Sequence, residues 1–143
     1  MTEVTGLSLR FDRLMNEQEA LQMNPLQLAY LGDAVWELIV RYDLITQKLN
    51  VQHMHRNCVQ KVNACSQSGI LRSVRDILTE QEMEIVRRGR NAHAKHPAPR
   101  NQNPEDHAMS TGFEALFGYL YLTGQNDRIR KLINHIKEVS PDA

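Results

Sequence analysis

Along most of this chain apolar residues recur at intervals of three and four, the spacing that lays them on one face of an α-helix. No convincing alternation of period two appears, so strands are not expected. The pattern predicts a long helix from about Pro25 to about Gln47, with Asn24 as its N-cap and Pro25 at the first helical position. A second helix is predicted behind Asn50, from about Val51 to Gln67, punctuated by Gly69 and followed by a short piece from Ile70 to Ile77. Thr79, with Glu82 three residues on, forms a capping box opening a helix to about Arg90. Asn103 and Pro104, followed by acidic Glu105 and Asp106, open a helix through Leu122 that stops at Gly124. Asn126 is expected to cap a last helix reaching about Val139, and residues 7–21 are a further candidate. The fold class is therefore all-α: a compact multi-helix bundle forming a single domain over 1–143.

Charge alters this picture only locally. Seventeen basic residues balance seventeen acidic ones, so there is no global signal for nucleic acid. The basic residues do concentrate in one segment. Between Arg87 and Arg100 stand Arg87, Arg88, Arg90, Lys95 and Arg100, with His93 and His96 and no acid. Pro97 and Pro99 exclude helix from its middle. A solvated loop is the bland reading, but like charges this dense repel unless an anion relieves them, so the segment is a candidate anion-binding stretch.

Cys58 and Cys65 lie seven apart, on one face of the predicted second helix but too far along it to bridge. Free buried thiols are expected, as in a reducing cytosol, and no second pair of ligands has zinc spacing. No apolar run is long enough for a membrane span, and the start lacks the pattern of a secretory leader. A soluble, cytoplasmic protein is expected.

The informative residues are acids set in apolar helices. In the stretch from Tyr30 to Arg41, "YLGDAVWELIVR", only Asp33, Glu37 and Arg41 interrupt the apolar pattern. They step by four and so form one polar stripe. For Glu37 and Arg41 the simpler account is an ion pair; Glu37 as a metal ligand is the alternative. Asp33 on a buried helix demands a partner, because an isolated buried carboxylate is costly. The later helix has the same design: "STGFEALFGYLYL" carries the single acid Glu114. Gly32 flanks Asp33, and Gly112 and Gly118 flank Glu114. Glycine within a helix costs about 1 kcal/mol relative to alanine, and is kept where another backbone comes close. If the two helices cross at their glycines, Asp33 and Glu114 meet. Two close carboxyls in an apolar setting need a cation to stay ionised, and Mg²⁺ is the default for hard oxygen ligands. Structural acids paired with Arg41 or a histidine would give a similar pattern.

Two motifs carry a family likeness. "LAYLGDAVWEL", Leu28 to Leu38, resembles the ribonuclease III signature, and "TGFEALFGYLYL", Thr111 to Leu122, resembles that family's second acidic motif. Their order and separation, the "RRGRNA" run from Arg87 to Ala92, and the lack of an appended domain resemble the Mini-ribonuclease III family. The likeness spans roughly residues 20–138, the expected core of a ribonuclease III-like catalytic domain. It implies that Asp33 and Glu114 are catalytic and hold metal. The two further acids of the larger enzymes fall on Ala29 and Thr111, which cannot serve. The ligand set is therefore reduced to two carboxylates, with Glu37 as a candidate third.

The resemblance implies an endoribonuclease that cuts double-stranded RNA to 5′-phosphate and 3′-hydroxyl ends, using Mg²⁺ or Mn²⁺ in its place. It also implies a homodimer and a role in maturing large-subunit ribosomal RNA. Without a separate RNA-binding domain, Arg87, Arg88, Arg90, His93, Lys95, His96 and Arg100 are the expected RNA contacts. Trp36 and its helix should leave apolar surface for the partner subunit. The alternative is a non-catalytic double-stranded-RNA-binding protein on the same fold.

Overall fold

The computed structural model describes residues 14–92 and 100–139; His93, Lys95, His96 and part of the helix expected over residues 7–21 lie outside that range. Among the described residues there are seven α-helices and no strand. They are α1 (Glu17–Leu21), α2 (Pro25–Thr46), α3 (Val51–Val62), α4 (Ala64–Val74), α5 (Glu80–Ala92), α6 (Pro104–Leu122) and α7 (Asn126–Val139), with a 3₁₀ turn at Arg75–Ile77.

The caps explain most of the boundaries. Asn24 accepts from the Leu26 N–H, with Pro25 filling the first helical position. Asn103 does the same for α6, accepting from the Glu105 and Asp106 N–H groups. At α5, the Glu82 N–H donates to Thr79 Oγ1 and the Thr79 N–H to Glu82 Oε1, the reciprocal pair of a capping box. Gly124 ends α6 at φ +72°, where the Gln125 N–H reaches the Leu120 carbonyl and the Gly124 N–H the Tyr121 carbonyl. That is a Schellman turn, which favours glycine at the left-handed position.

The second predicted helix breaks earlier than expected. Asn63, not Gly69, separates α3 from α4. Asn63 is extended (φ −73°, ψ 162°), and its side chain accepts from the Ser66 N–H while donating to the Gln60 carbonyl. One residue thus ends one helix and caps the next, while the apolar period runs on across the break. Gly69 sits inside α4 with open space where a Cβ would be. The two cysteines consequently lie on different helices: Cys58 is buried but Cys65 is exposed, correcting the expectation that both are. Asn126 is the first residue of α7 rather than its cap.

α6 is the centre of the bundle. Apart from Glu114, every residue from Ala108 to Leu120 is buried, as befits a helix that is apolar all round. α2, α4 and α5 pack around it. Trp36 belongs to this core and not to an exposed patch: its ring meets Phe113 and Phe117 at centroid distances of 5.0 and 5.5 Å, and its Nε1–H donates to the Lys61 carbonyl. α2 buries one side only. Tyr30, Leu38, Tyr42 and Ile45, apolar in the sequence pattern, face outward.

A buried ion pair ties α7 to α5. Arg128 donates from Nε and Nη2 to the two oxygens of Glu82, each at 2.8 Å, and from Nη2 to the Ile77 carbonyl at 2.6 Å. Burial alone would raise the Glu82 pKa, but the Arg128 hydrogen bond and the Thr79 N–H hold it below the usual carboxylate value.

Candidate active site

α2 and α6 cross in direct backbone contact. A Cβ on Gly32 would overlap the Glu114 carbonyl oxygen and come within 2.8 Å of the Gly118 nitrogen. A Cβ on Gly118 would overlap the Leu28 carbonyl oxygen and lie 3.1 Å from the Gly32 nitrogen. No larger residue fits at either position. Gly112 serves a different crossing, facing Gly89 of α5.

The glycine crossing sets Asp33, beside Gly32, against Glu114, close enough for the two carboxyl groups to interact. Their surroundings differ from the sequence expectation in one respect. Asp33 lies at the exposed rim, while Glu114 is set behind it and carries the burial. Desolvation, reinforced by the neighbouring Asp33 carboxyl, pushes the Glu114 pKa up to about 9. The Gln67 amide opposes this shift. With its pKa pushed this high, Glu114 favours the protonated form at neutral pH when no cation is bound.

The positions emptied of acids are fully used by the fold. Ala29 is buried against the core, and the Thr111 hydroxyl turns back to donate to the His107 carbonyl on its own helix. Glu37 does not join the pair. Its Oε1 accepts from Arg41 Nη2 at 2.6 Å, which is the ion-pair reading, and no group of three or more His, Cys, Asp or Glu residues suited to a metal occurs among the described residues. The donor set is thus two carboxyls. It still fits a hard divalent cation: two neighbouring carboxyl groups, one held protonated by burial and by its neighbour, are what such a cation would displace a proton from.

The described part of the basic segment is more committed than its composition suggests. Arg87 pairs with Glu84, and Arg90 Nη2 lies 2.7 Å from Glu105 Oε1. Arg88 turns inward and donates to the Leu21 and Met23 carbonyls, holding the end of α1. Arg100 is exposed just before α6. Sequence reasoning placed Ser110 on the Glu114 face of its helix but missed Gln67 altogether. Gln67 is a buried amide on α4 that accepts from the Ser110 hydroxyl next to Glu114, and only the 3D packing of α4 on α6 reveals it.

The model of the ribonuclease III domain family matches residues 26–125, which includes both acids and both crossing glycines. The chain belongs to the ribonuclease III family. Relatives named Mini-ribonuclease 3 resemble it over most of their length. One from Symbiobacterium thermophilum is 47% identical over 114 residues, covering 79% of this chain and 87% of the relative. Another, from Clostridium tetani, is 38% identical over 119 residues, covering 82% and 78%. A crystal structure of a protein from Fusobacterium nucleatum superposes with a TM-score of 0.76 at 29% identity, covering 87% of this chain and 98% of that one. The family likeness read from the two motifs therefore holds, as does the all-α fold.

Proposed function

We propose that this ribonuclease III family endoribonuclease cuts double-stranded RNA at a Mg²⁺ site held by Asp33 and Glu114. The observation that carries the reading is the glycine crossing, which brings the acids of two separate helices close together. Asp33 at the rim and Glu114 behind it would offer one carboxylate oxygen each. A bound Mg²⁺ supplies positive charge for the scissile phosphate and lowers the pKa of a water. The chain's own contribution is to fix the two oxygens through rigid backbone, with Asp33 open to the substrate side. A-form RNA is read by shape, phosphate and 2′-hydroxyl, so little base preference is expected of such a site.

The exposed stripe on α2 supports a homodimer. Tyr30 is 86% exposed, Tyr42 72%, Ile45 65% and Leu38 42%, a row unusual for a monomer surface. Asp33 is one helical turn from Tyr30, so a two-fold pairing along this stripe would put both sites beside one groove. The proposed natural substrate is a large-subunit ribosomal RNA precursor, and the proposed location is the cytoplasm; both rest on the family likeness. No described helix is long and apolar enough to cross a membrane. Arg87, Arg90 and Arg100, with Lys95, His93 and His96, remain the proposed phosphate contacts.

The test is incubation of duplex RNA and a matched single strand with Mg²⁺ or with chelator. Cleavage of the duplex alone, dependent on Mg²⁺ and lost in folded Asp33→Asn and Glu114→Gln, is the expected result. Wild-type rates in either folded variant would refute the assignment.

A further inference from the structure

Gln67 is 0% exposed, an unusual place for a primary amide. Its buried neighbours on α4 are Ser68, Ile70, Leu71 and Val74, so no other large polar side chain of that helix is buried. An apolar side chain of equal length would fill the same space without the desolvation cost. The amide is anchored at one end only. Oε1 accepts a hydrogen bond from the Ser110 hydroxyl, itself buried on α6. Nε2 is buried with no completed hydrogen bond to any group. An orphaned buried donor costs about 1–3 kcal/mol, so its persistence needs a reason.

The reason lies one helical turn along. Ser110 and Glu114 are four apart on α6 and share a face, so an amide held by Ser110 presents its other end towards Glu114. Gln67 also lowers the Glu114 pKa, the effect of a donor close to the carboxyl, although no hydrogen bond is closed between them. A Glu114 carboxylate coordinating a metal through one oxygen leaves its second oxygen as an acceptor. The Gln67 N–H is the donor placed to take it.

We propose that Gln67, locked by Ser110, is a positioning residue of the metal site, holding the Glu114 carboxylate in its metal-binding orientation. The inference rests on the reading of Asp33 and Glu114 as the metal ligands. Residues that orient ligands in this way change metal affinity by about 10- to 100-fold when replaced.

The test measures Mn²⁺ binding directly, by the paramagnetic resonance signal of the free ion, in metal-stripped protein without RNA. Wild type should bind and Asp33→Asn should not. Gln67→Met, which keeps the volume, should weaken binding by about tenfold or more while circular dichroism shows an intact fold. Ser110→Ala should weaken it less. The double variant should match Gln67→Met, because Ser110 acts through Gln67. In RNA cleavage the Gln67→Met rate should recover at high Mg²⁺, a shift in half-saturating metal that a merely structural role would not give. Wild-type Mn²⁺ affinity in folded Gln67→Met overturns the proposal. If that variant does not fold, Ser110→Ala decides, and wild-type affinity there overturns it equally. Additive losses in the double variant would overturn the relay from Ser110. Absence of Mn²⁺ binding in wild type, or its persistence in Asp33→Asn, would instead bring down the underlying reading of the two ligands.

Discussion

Replacing Glu114 by glutamine should stabilise the metal-free protein while destroying its chemistry. Glu114 is held at a pKa of about 9, against 4.5 for an ordinary glutamate. Its folded pKa lies above its unfolded one, so folding must take up a proton wherever the unfolded chain is ionised. Below about pH 4.5 there is no penalty; between 4.5 and about 9 stability falls as pH rises; above that the penalty is constant. The slope is about 1.4 kcal/mol per pH unit, so at pH 7.5, three units above 4.5, the cost is on the order of 4 kcal/mol. Glutamine avoids that cost, and its amide can donate to Asp33. An increase of this order should raise the melting temperature by roughly 10 °C. The assay is thermal unfolding in chelator from pH 5 to pH 8.5, for wild type and Glu114→Gln. Wild type should lose stability across that range and the variant should be nearly flat. Mg²⁺ should raise the wild-type midpoint but leave the variant unmoved. Parallel pH curves for the two proteins would refute the reasoning, because Glu114 would then be ordinarily ionised in the fold.

Gly32→Ala should destabilise by at least about 3 kcal/mol and lower Mn²⁺ affinity with it, since the added methyl meets backbone at the crossing; a melting curve like that of wild type would contradict the contact. Gly69→Ala should do the reverse, raising stability by about 1 kcal/mol in urea titration, because its Cβ meets open space inside α4. Arg128→Met should cost about 3–5 kcal/mol by leaving the buried Glu82 carboxylate unpaired, and the loss should be larger at pH 7 than at a pH low enough to protonate Glu82. Tyr42→Glu should halve the mass seen at micromolar concentration by light scattering if α2 carries the subunit interface. Neutralising Lys95 and Arg100 together should reduce the slope of log RNA affinity against log salt by about one to two, and an unchanged slope would show the segment to be solvated surface.

The pairing of Asp33 with Glu114 was legible in the sequence because each is an acid set in an apolar motif with a glycine nearby, and the glycines foretold the crossing that joins them. The helix ends were legible where Asn-Pro pairs, a capping box and a closing glycine state them chemically. What the pattern obscured has a common cause: apolar character does not say which side of a helix is covered. Tyr30 and Leu38 read as core yet face outward, Trp36 read as interface yet fills the core, and Asp33 read as buried yet lies at the rim. Asn63 was hidden because both helices it separates keep the same period. Gln67 carried no one-dimensional signal, since its meaning comes from Ser110, forty-three residues away.

The contact between Gly32 and Gly118 has a consequence for regulation. In many enzymes ligands hang from loops and can be moved apart while the body of the protein stays folded. Here the distance between the two acids is set where two main chains touch, at the centre of the bundle. The helices cannot slide or part without breaking the core itself. If these two acids are the metal ligands, as proposed, the nuclease has no half-assembled centre to stray into: an incompletely folded chain would hold no metal and cut nothing, and a chain that holds metal would already have proved its core. Control over when it cuts must then act from outside the bundle, through access of RNA, supply of cation or pairing of subunits.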